Sequence, residues 1–402
     1  MNRPLLHELD SAAIARSVAN CRYRRALLTR ILSSAASLLC AVIFSQPSRA
    51  QEWTWSSEQI DLGASDGSLA IDADSNLHLA YYKPDGGQLM YGFRSATSGK
   101  WFTMSLDHGL GGFSSQIALD SNQNPHICYA PRVLKYAHFD GKQWQTQEID
   151  KGGGLVSYTC SIKMDSKNRP HISWYVESGV FLRYAELKDG AWLARTLDQQ
   201  GLPGKWNSLA LDSEGNPHIA YIEFPLGQLR YTAFDGKLWT RNIVDAPGAK
   251  PGDLYLRGFG ASLIFNRDGE ALAVYYDLES LKLARLSEGK WTVSTIEQLP
   301  NFGDWAWKQF RTSTALDSKG NLHIVFESKK GLEHLWWDGA EWRSRMLIVP
   351  VGVTFFDSSM VMDKSDNIYI AYKDATEGTL KLFIGKSQAA ADASRAAAST
   401  IR

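Results

Sequence analysis

In the segment LDSEGNPHIAY (211–221), Asp212, Asn216 and His218 stand at offsets of zero, four and six. A carboxylate, an amide and an imidazole so close together could bind a metal ion or move a proton. The phrase returns along the chain, with its first polar residue at Asp72, Asp120, Asp165, Asp212, Asn266, Asp317 and Asp363. His78, His126, His171, His218 and His323 follow six residues later, with Leu272 and Tyr369 in the remaining copies. A catalytic or metal site is normally unique, so a constellation written this often reads as scaffold. Its expected role is a hydrogen-bond network that ties strands together. DADSN (72–76) shares its opening with calcium loops but lacks their Gly and distal Glu, and is expected to be a turn. No catalytic residue, metal site or cofactor is assigned: the chain has no serine-nucleophile motif, phosphate loop or CxxC pair.

The elements that must position these residues follow from the text between the copies. The spacing of 45 to 54 residues is that of propeller blades. Four residues before the Asp stands Ser68, Ser161, Ser208, Ser262, Ser313 or Ser359, with Gln116 as the exception. Short apolar alternation from that position to the Asp gives a first strand packed on both faces. SEGN (213–216) or SKGN (318–321) is a tight hairpin, in which Gly215, Gly269 and Gly320 supply positive φ. A second strand carries an aromatic nine residues after the Asp: Tyr81, Tyr129, Trp174, Tyr221, Tyr275, Phe326 or Tyr372. A third is typified by LKYAHFDG (134–141), and a fourth starts near Trp101, Trp144, Trp192, Trp239, Trp291 or Trp342. Four antiparallel strands per repeat make one blade of an all-β, seven-bladed β-propeller. The seventh repeat lacks its Trp strand, whereas WSSEQID (55–61) is an orphan one. The N-terminal strand should therefore complete the last blade and close the ring.

The repeat LDSEGNPHIAY…LRYTAFDGKLW resembles those of secreted bacterial β-propellers of the BNR or sialidase-like type. The resemblance covers about residues 52–386 and implies the propeller fold. The copies depart from the Asp-box pattern Ser-x-Asp-x-Gly-x-x-Trp, so no sialidase activity is carried over.

Arg22, Arg24, Arg25 and Arg30 precede an apolar run, ILSSAASLLCAVIF (31–44), and small residues Ser48 and Ala50. That order is a secretory signal peptide cleaved after Ala50, with an apolar run too short for a membrane span. The expected organisation is a signal peptide (1–50), a propeller (51–386) and an Ala-rich tail (387–402), exported as a secreted or periplasmic monomer. Residues 1–50 hold seven of the 43 Lys/Arg and two of the 43 Asp/Glu, leaving a net charge near −5. Such a body has no footprint for nucleic acid and no segment for membrane insertion. Of the four cysteines, Cys128 and Cys160 remain after cleavage. Neighbouring blades would permit a disulfide, but equivalent positions hold small residues such as Ala80, Ala220 and Ser115. The two are therefore read as small core cysteines.

If the repeat is scaffold, function lies in what differs between copies. The links between blades vary most: 245–262, 297–313 and 348–359 mix aromatics with both charges. An aromatic precedes the first strand in six copies: Phe113, Tyr158, Trp206, Phe259, Phe310 and Phe356. Trp305 and Trp307 fall outside the pattern as exposed platforms, with Arg257 and Arg311 in the same links. Aromatic faces beside planar hydrogen-bonding groups suit sugar rings, so these ten residues form the expected ligand site and a glycan the expected ligand. An exported protein is the rival partner, because Trp, Tyr and Arg also anchor interfaces. A glycoside hydrolase or polysaccharide lyase is the third reading: Asp253, Asp304, Glu327 and Asp357 are its candidate carboxyls, and His108, His138 and His334 its candidate bases.

Overall fold

The computed structural model describes residues 53–108, 114–130, 132–150, 156–224, 226–246, 259–277, 279–299, 311–348, 358–374 and 376–388. These residues form seven four-stranded antiparallel sheets. Blade 1 comprises Ser65–Ile71, Leu77–Lys83, Gln88–Arg94 and Trp101–Asp107, in order from the inside outwards. Blades 2 to 6 repeat that order, beginning with inner strands Gln116–Leu119, Val156–Met164, Leu202–Leu211, Phe259–Phe265 and Ser313–Leu316. Blade 7 takes Ser359–Met362, Ile368–Asp374 and Thr379–Ser387 from the C-terminal end and its outermost strand, Trp53–Leu62, from the N-terminal end. Trp55 lies opposite Gly385, just as Trp101 lies opposite Arg94 in blade 1 and Trp144 opposite Phe139 in blade 2. The inner strands contact one another in cyclic order, blade 7 meeting blade 1, so the ring is closed.

Two belts lock blade to blade. Around the channel, the Ser of five repeats accepts a backbone N–H from the next inner strand. Ile117 donates to Ser68 at 3.3 Å, Leu209 to Ser161 at 3.0 Å and Leu263 to Ser208 at 3.0 Å. Met360 donates to Ser313 at 2.9 Å and Leu69 to Ser359 at 3.0 Å, while Ser262 meets Thr314 Oγ1 at 2.8 Å. Further out, the Trp opening the fourth strand of blades 2 to 5 packs on a third-strand Tyr of the preceding blade. The ring centroids are 4.8 Å apart for Tyr91 and Trp144, 5.2 Å for Tyr136 and Trp192, and 4.9 Å for Tyr231 and Trp291.

The junction of blades 2 and 3 departs from this plan. Gln116 replaces the girdle Ser there, and Cys128 and Cys160 are joined by a disulfide with their Cα atoms 6.3 Å apart. This corrects the reading of two free core cysteines. Small residues at the equivalent positions report a tight inter-blade space, and that tightness is what brings the two sulfurs within bonding reach. The covalent link stands where the hydrogen bond of the other junctions is missing.

Candidate functional site

The repeated Asp–His constellation is structural. In all seven copies the Asp or Asn Oδ1 accepts the N–H groups two and four residues on, at 2.8 to 3.0 Å. The third residue has positive φ in every copy, including non-glycines Ser75, Gln123, Asn168 and Asp366. The second carboxylate oxygen faces the repeat His, with Nε2 at 3.5 Å in the pair Asp72–His78 and 3.2 Å in Asp212–His218. In blades 1 to 4 the other side of that imidazole meets a third-strand Tyr hydroxyl, at 2.7 Å for His78 and Tyr91, whereas His323 of blade 6 meets His334 at 3.0 Å. In those four blades the chain of contacts therefore runs from turn Asp through His and Tyr to the Trp of the next blade. Burial pushes the His126 pKa down to about 4, outweighing the pull of Asp120. Burial would raise Asp317, but hydrogen bonds from His323, Asn321 and Lys319 hold it at about 2. Burial thus favours the neutral form of the His126 imidazole, and hydrogen bonds favour the ionised form of Asp317. Among the described residues no His, Cys, Asp or Glu cluster could hold a metal ion.

Acids that end the outer strands are similarly committed. Asp61 accepts Tyr81 at 2.9 Å and Lys83 at 2.9 Å, and Asp107 accepts Tyr129 at 2.7 Å and Lys135 at 2.8 Å. Asp198 accepts Tyr221 at 2.8 Å and Arg230 at 3.0 Å, and Asp245 accepts Lys282 at 3.0 Å. Each ties the rim of one blade to the next. Glu327, a candidate catalytic carboxyl, is 4% exposed and lies within blade 6. His334 is fully buried, stacked between His323 and Trp336, and His138 is stacked on Tyr136. His108 is exposed.

The seven inner strands surround a central cavity of about 410 Å³, within the range of small-ligand sites. At its mouth the copies differ. Counting back six residues from the repeat Asp gives Asp66, Ser114, Thr159, Trp206, Gly260 and Arg311, and in the seventh copy Asp357, which lies outside the described residues. Four of these have left-handed backbone: Asp66 at φ 55°, Ser114 at 57°, Trp206 at 48° and Gly260 at 57°. Strand register slips at the same level in blades 1, 3, 4 and 5. A bulge with a left-handed residue turns the strand end and re-aims its side chain, a device common beside binding sites. One step deeper come Asn207, Thr312 and Ser358, all lining the cavity. Asn207 Nδ2 donates to Thr159 Oγ1 at 3.1 Å and Ser173 donates to Asn207 Oδ1 at 2.6 Å. Thr312 donates to the Gly260 carbonyl at 2.6 Å. Ser358 is 6% exposed, and its Oγ has no hydrogen-bond partner among the described residues. Arg311 of blade 6 donates to Ser114 of blade 2. Lys163, two residues before Asp165, also lines the cavity.

Of the ten expected ligand residues, Trp206 and Arg311 are placed at this mouth. Trp206 is half-buried and packs against the cores between blades 4 and 5 and between blades 5 and 6, so it is wall as much as platform. Lys205 stands over its ring at 5.9 Å and over Tyr175 at 5.7 Å. For Tyr158 and Phe259 only the backbone, at the ends of inner strands, is described. Phe113, Arg257, Trp305, Trp307, Phe310 and Phe356 lie outside the described residues, as do Asp253, Asp304 and Asp357. Sequence reasoning missed Thr159, Asn207, Thr312, Ser358 and Lys163. For the first four the signal was available: five and six residues before the repeat Asp, just ahead of the recurring girdle Ser, the residue type changes from copy to copy.

No family model matches the chain, and no curated protein matches it in sequence. Among solved structures it is similar to a polysaccharide lyase described as an ulvan lyase bound to -[GlcA(1-4)Rha3S]-. The two share 12% identity at a TM-score of 0.56, covering 81% of this chain and 95% of that one. It is similar also to YCF48 bound to D1 peptide, at 13% identity and a TM-score of 0.53, covering 83% and 95%. The Aleuria aurantia lectin in complex with alpha-methyl-L-fucoside gives 14% identity and a TM-score of 0.48, covering 72% and 97%. At these identities the first two likenesses bear on the propeller fold alone.

Proposed function

We propose that the protein is an exported carbohydrate-binding module whose ligand enters the mouth of the central channel on the face of the inter-blade links. The observation that carries this reading is the rim itself. There the repeat gives way to Thr159, Asn207, Thr312, Ser358 and Arg311, with Trp206 alongside, around a cavity of about 410 Å³. Hydroxyls, an amide and a guanidinium offer donors and acceptors at several angles, and an indole supplies an apolar wall, the combination a polyhydroxylated ring requires. Binding is favoured over glycoside hydrolysis or polysaccharide cleavage because the described acids at the blade junctions are engaged by Lys, Arg and Tyr. None is paired with a second carboxyl across the channel mouth. The Cys128–Cys160 disulfide supports export to an oxidising space, in keeping with the leader expected in residues 1–50. The sialidase-like resemblance of the repeats supports a secreted propeller and lends no substrate.

A glycan-array screen of residues 51–402 tests the proposal, with Arg311→Ala and a Trp305→Ala/Trp307→Ala double variant alongside. The expected outcome is a defined set of sugars bound by the parent chain and lost, by tenfold or more, in Arg311→Ala. Silence across a broad array, with capture of an exported protein by the same face, would replace the glycan with a protein partner.

A further inference from the structure

The cavity has a charge that the expected site did not foresee. Among the described residues that line it, the charged side chains are Lys163 and Arg311, both cations, and none is a carboxylate. Asp66 stands at the rim of blade 1, with its carboxylate accepting the Ser65 hydroxyl at 2.9 Å. Lys163 occupies an inner-strand position that holds Ala70, Ala118, Ala210, Ile264, Ala315 and Val361 in the other blades. A long cation in a ring of small and apolar side chains is not required by the scaffold. Its side chain remains accessible, and no carboxylate lies within ion-pair distance among the described residues. The surrounding blades desolvate the ammonium and push its pKa down. A desolvated ammonium with no carboxylate beside it among the described residues gains from a counter-charge.

Arg311 marks the mouth and Lys163 lies four residues deeper by register, about 13 Å along a strand. The uncommitted Ser358 hydroxyl stands between these two levels. We infer that the channel takes an anionic ligand end-on, with Lys163 as the deep cation that receives its carboxylate or sulfate and Arg311 as the gate cation. This rests on the carbohydrate reading and narrows it to acidic sugars. A guanidinium can hold a carboxylate through two parallel hydrogen bonds, whereas an ammonium acts as a point charge that tolerates several anion shapes. The site therefore selects for charge at its floor and for geometry at its mouth.

The test is calorimetric titration of residues 51–402 with a glucuronate-terminated oligosaccharide, its carboxyl-reduced neutral counterpart, and citrate as an anion that is not a sugar. Lys163→Met and Lys163→Arg are titrated beside the parent chain, with melting temperatures recorded for each. The expected result is binding of the acidic oligosaccharide at least tenfold tighter than of the neutral one. That preference should vanish in Lys163→Met, persist in Lys163→Arg, and shrink as salt is raised. Met replaces the ammonium without loss of length, so its fold should be kept and its melting temperature should not fall. Equal binding of acidic and neutral sugars, unchanged in Lys163→Met, would overturn the inference while leaving the carbohydrate reading intact. Citrate binding that depends on Lys163, with no sugar bound, would keep the anion site and overturn the carbohydrate reading. Binding of none of the three would overturn both.

Discussion

The hairpin turns at one end of the inner strands and the channel mouth at the other are built from the same residue types, yet they do opposite things. At the turns, Asp, Asn, His and Ser recur at fixed offsets, and the contacts they make are the same from copy to copy. At the mouth, Asp66, Ser114, Thr159, Trp206, Gly260 and Arg311 share one register position and no common chemistry. Repetition marks groups whose hydrogen bonds are consumed by the fold; on the proposed reading, variation at a fixed backbone position marks the groups that a ligand would meet. The Asp–His pairs show how readily a scaffold is mistaken for a site. A close carboxylate–imidazole pair looks catalytic until its remaining atoms are followed to a backbone turn and a buried Tyr.

The largest effect that sharpens this contrast is on acid stability. The His126 pKa is lowered to about 4 by burial against Asp120, and burial moves His78, His171 and His218 in the same direction. An unfolded imidazole titrates near 6.5, so between pH 6.5 and 4 the unfolded chain binds protons that the folded chain refuses. Stability is complete above that window and is lost as pH falls through it, by on the order of 3 kcal/mol from His126 alone. Thermal melting followed from pH 7 to pH 4 should show a monotonic fall. A melting temperature that rises on acidification would mean that the imidazoles are protonated in the fold.

Next in size is the covalent junction. The Cys128–Cys160 bond spans 32 residues, for which loop closure predicts about 3 to 4 kcal/mol. Cys128→Ser with Cys160→Ser, or reduction of the parent chain, should lower the urea midpoint accordingly. Adding Gln116→Ser should recover part of the loss, about 1 kcal/mol, by restoring the girdle hydrogen bond that the other junctions possess. No recovery would show that the disulfide and the Ser girdle are not interchangeable locks.

Most of the architecture was legible because a repeat proclaims itself. The seven Asp or Asn positions gave the blades, and the orphan Trp55 strand gave the closure; its pairing with Gly385 came from the structure. The disulfide was not legible: small residues at equivalent positions describe a tight space but not whether two sulfurs are within bonding distance. The rim was half legible. Arg311 and Trp206 stood out as types, but only the left-handed bulge at their register position shows which offset faces the channel. Lys163 was hidden because its neighbours in sequence, Ile162 and Met164, belong to an ordinary strand. Its meaning comes from the Ala, Ile and Val that replace it in the six other blades.

The most direct measurement compares two variants against one sugar identified on the array: His218→Ala, from the repeated constellation, and Arg311→Ala, from the rim. His218→Ala should lower the melting temperature, through a loss of about 2 kcal/mol in a buried network, and bind with parental affinity. Arg311→Ala should melt within a degree or two of the parent and lose affinity by tenfold or more. Normal melting with lost binding in His218→Ala would make the repeated constellation a site, and would contradict the division between scaffold and rim on which this account rests.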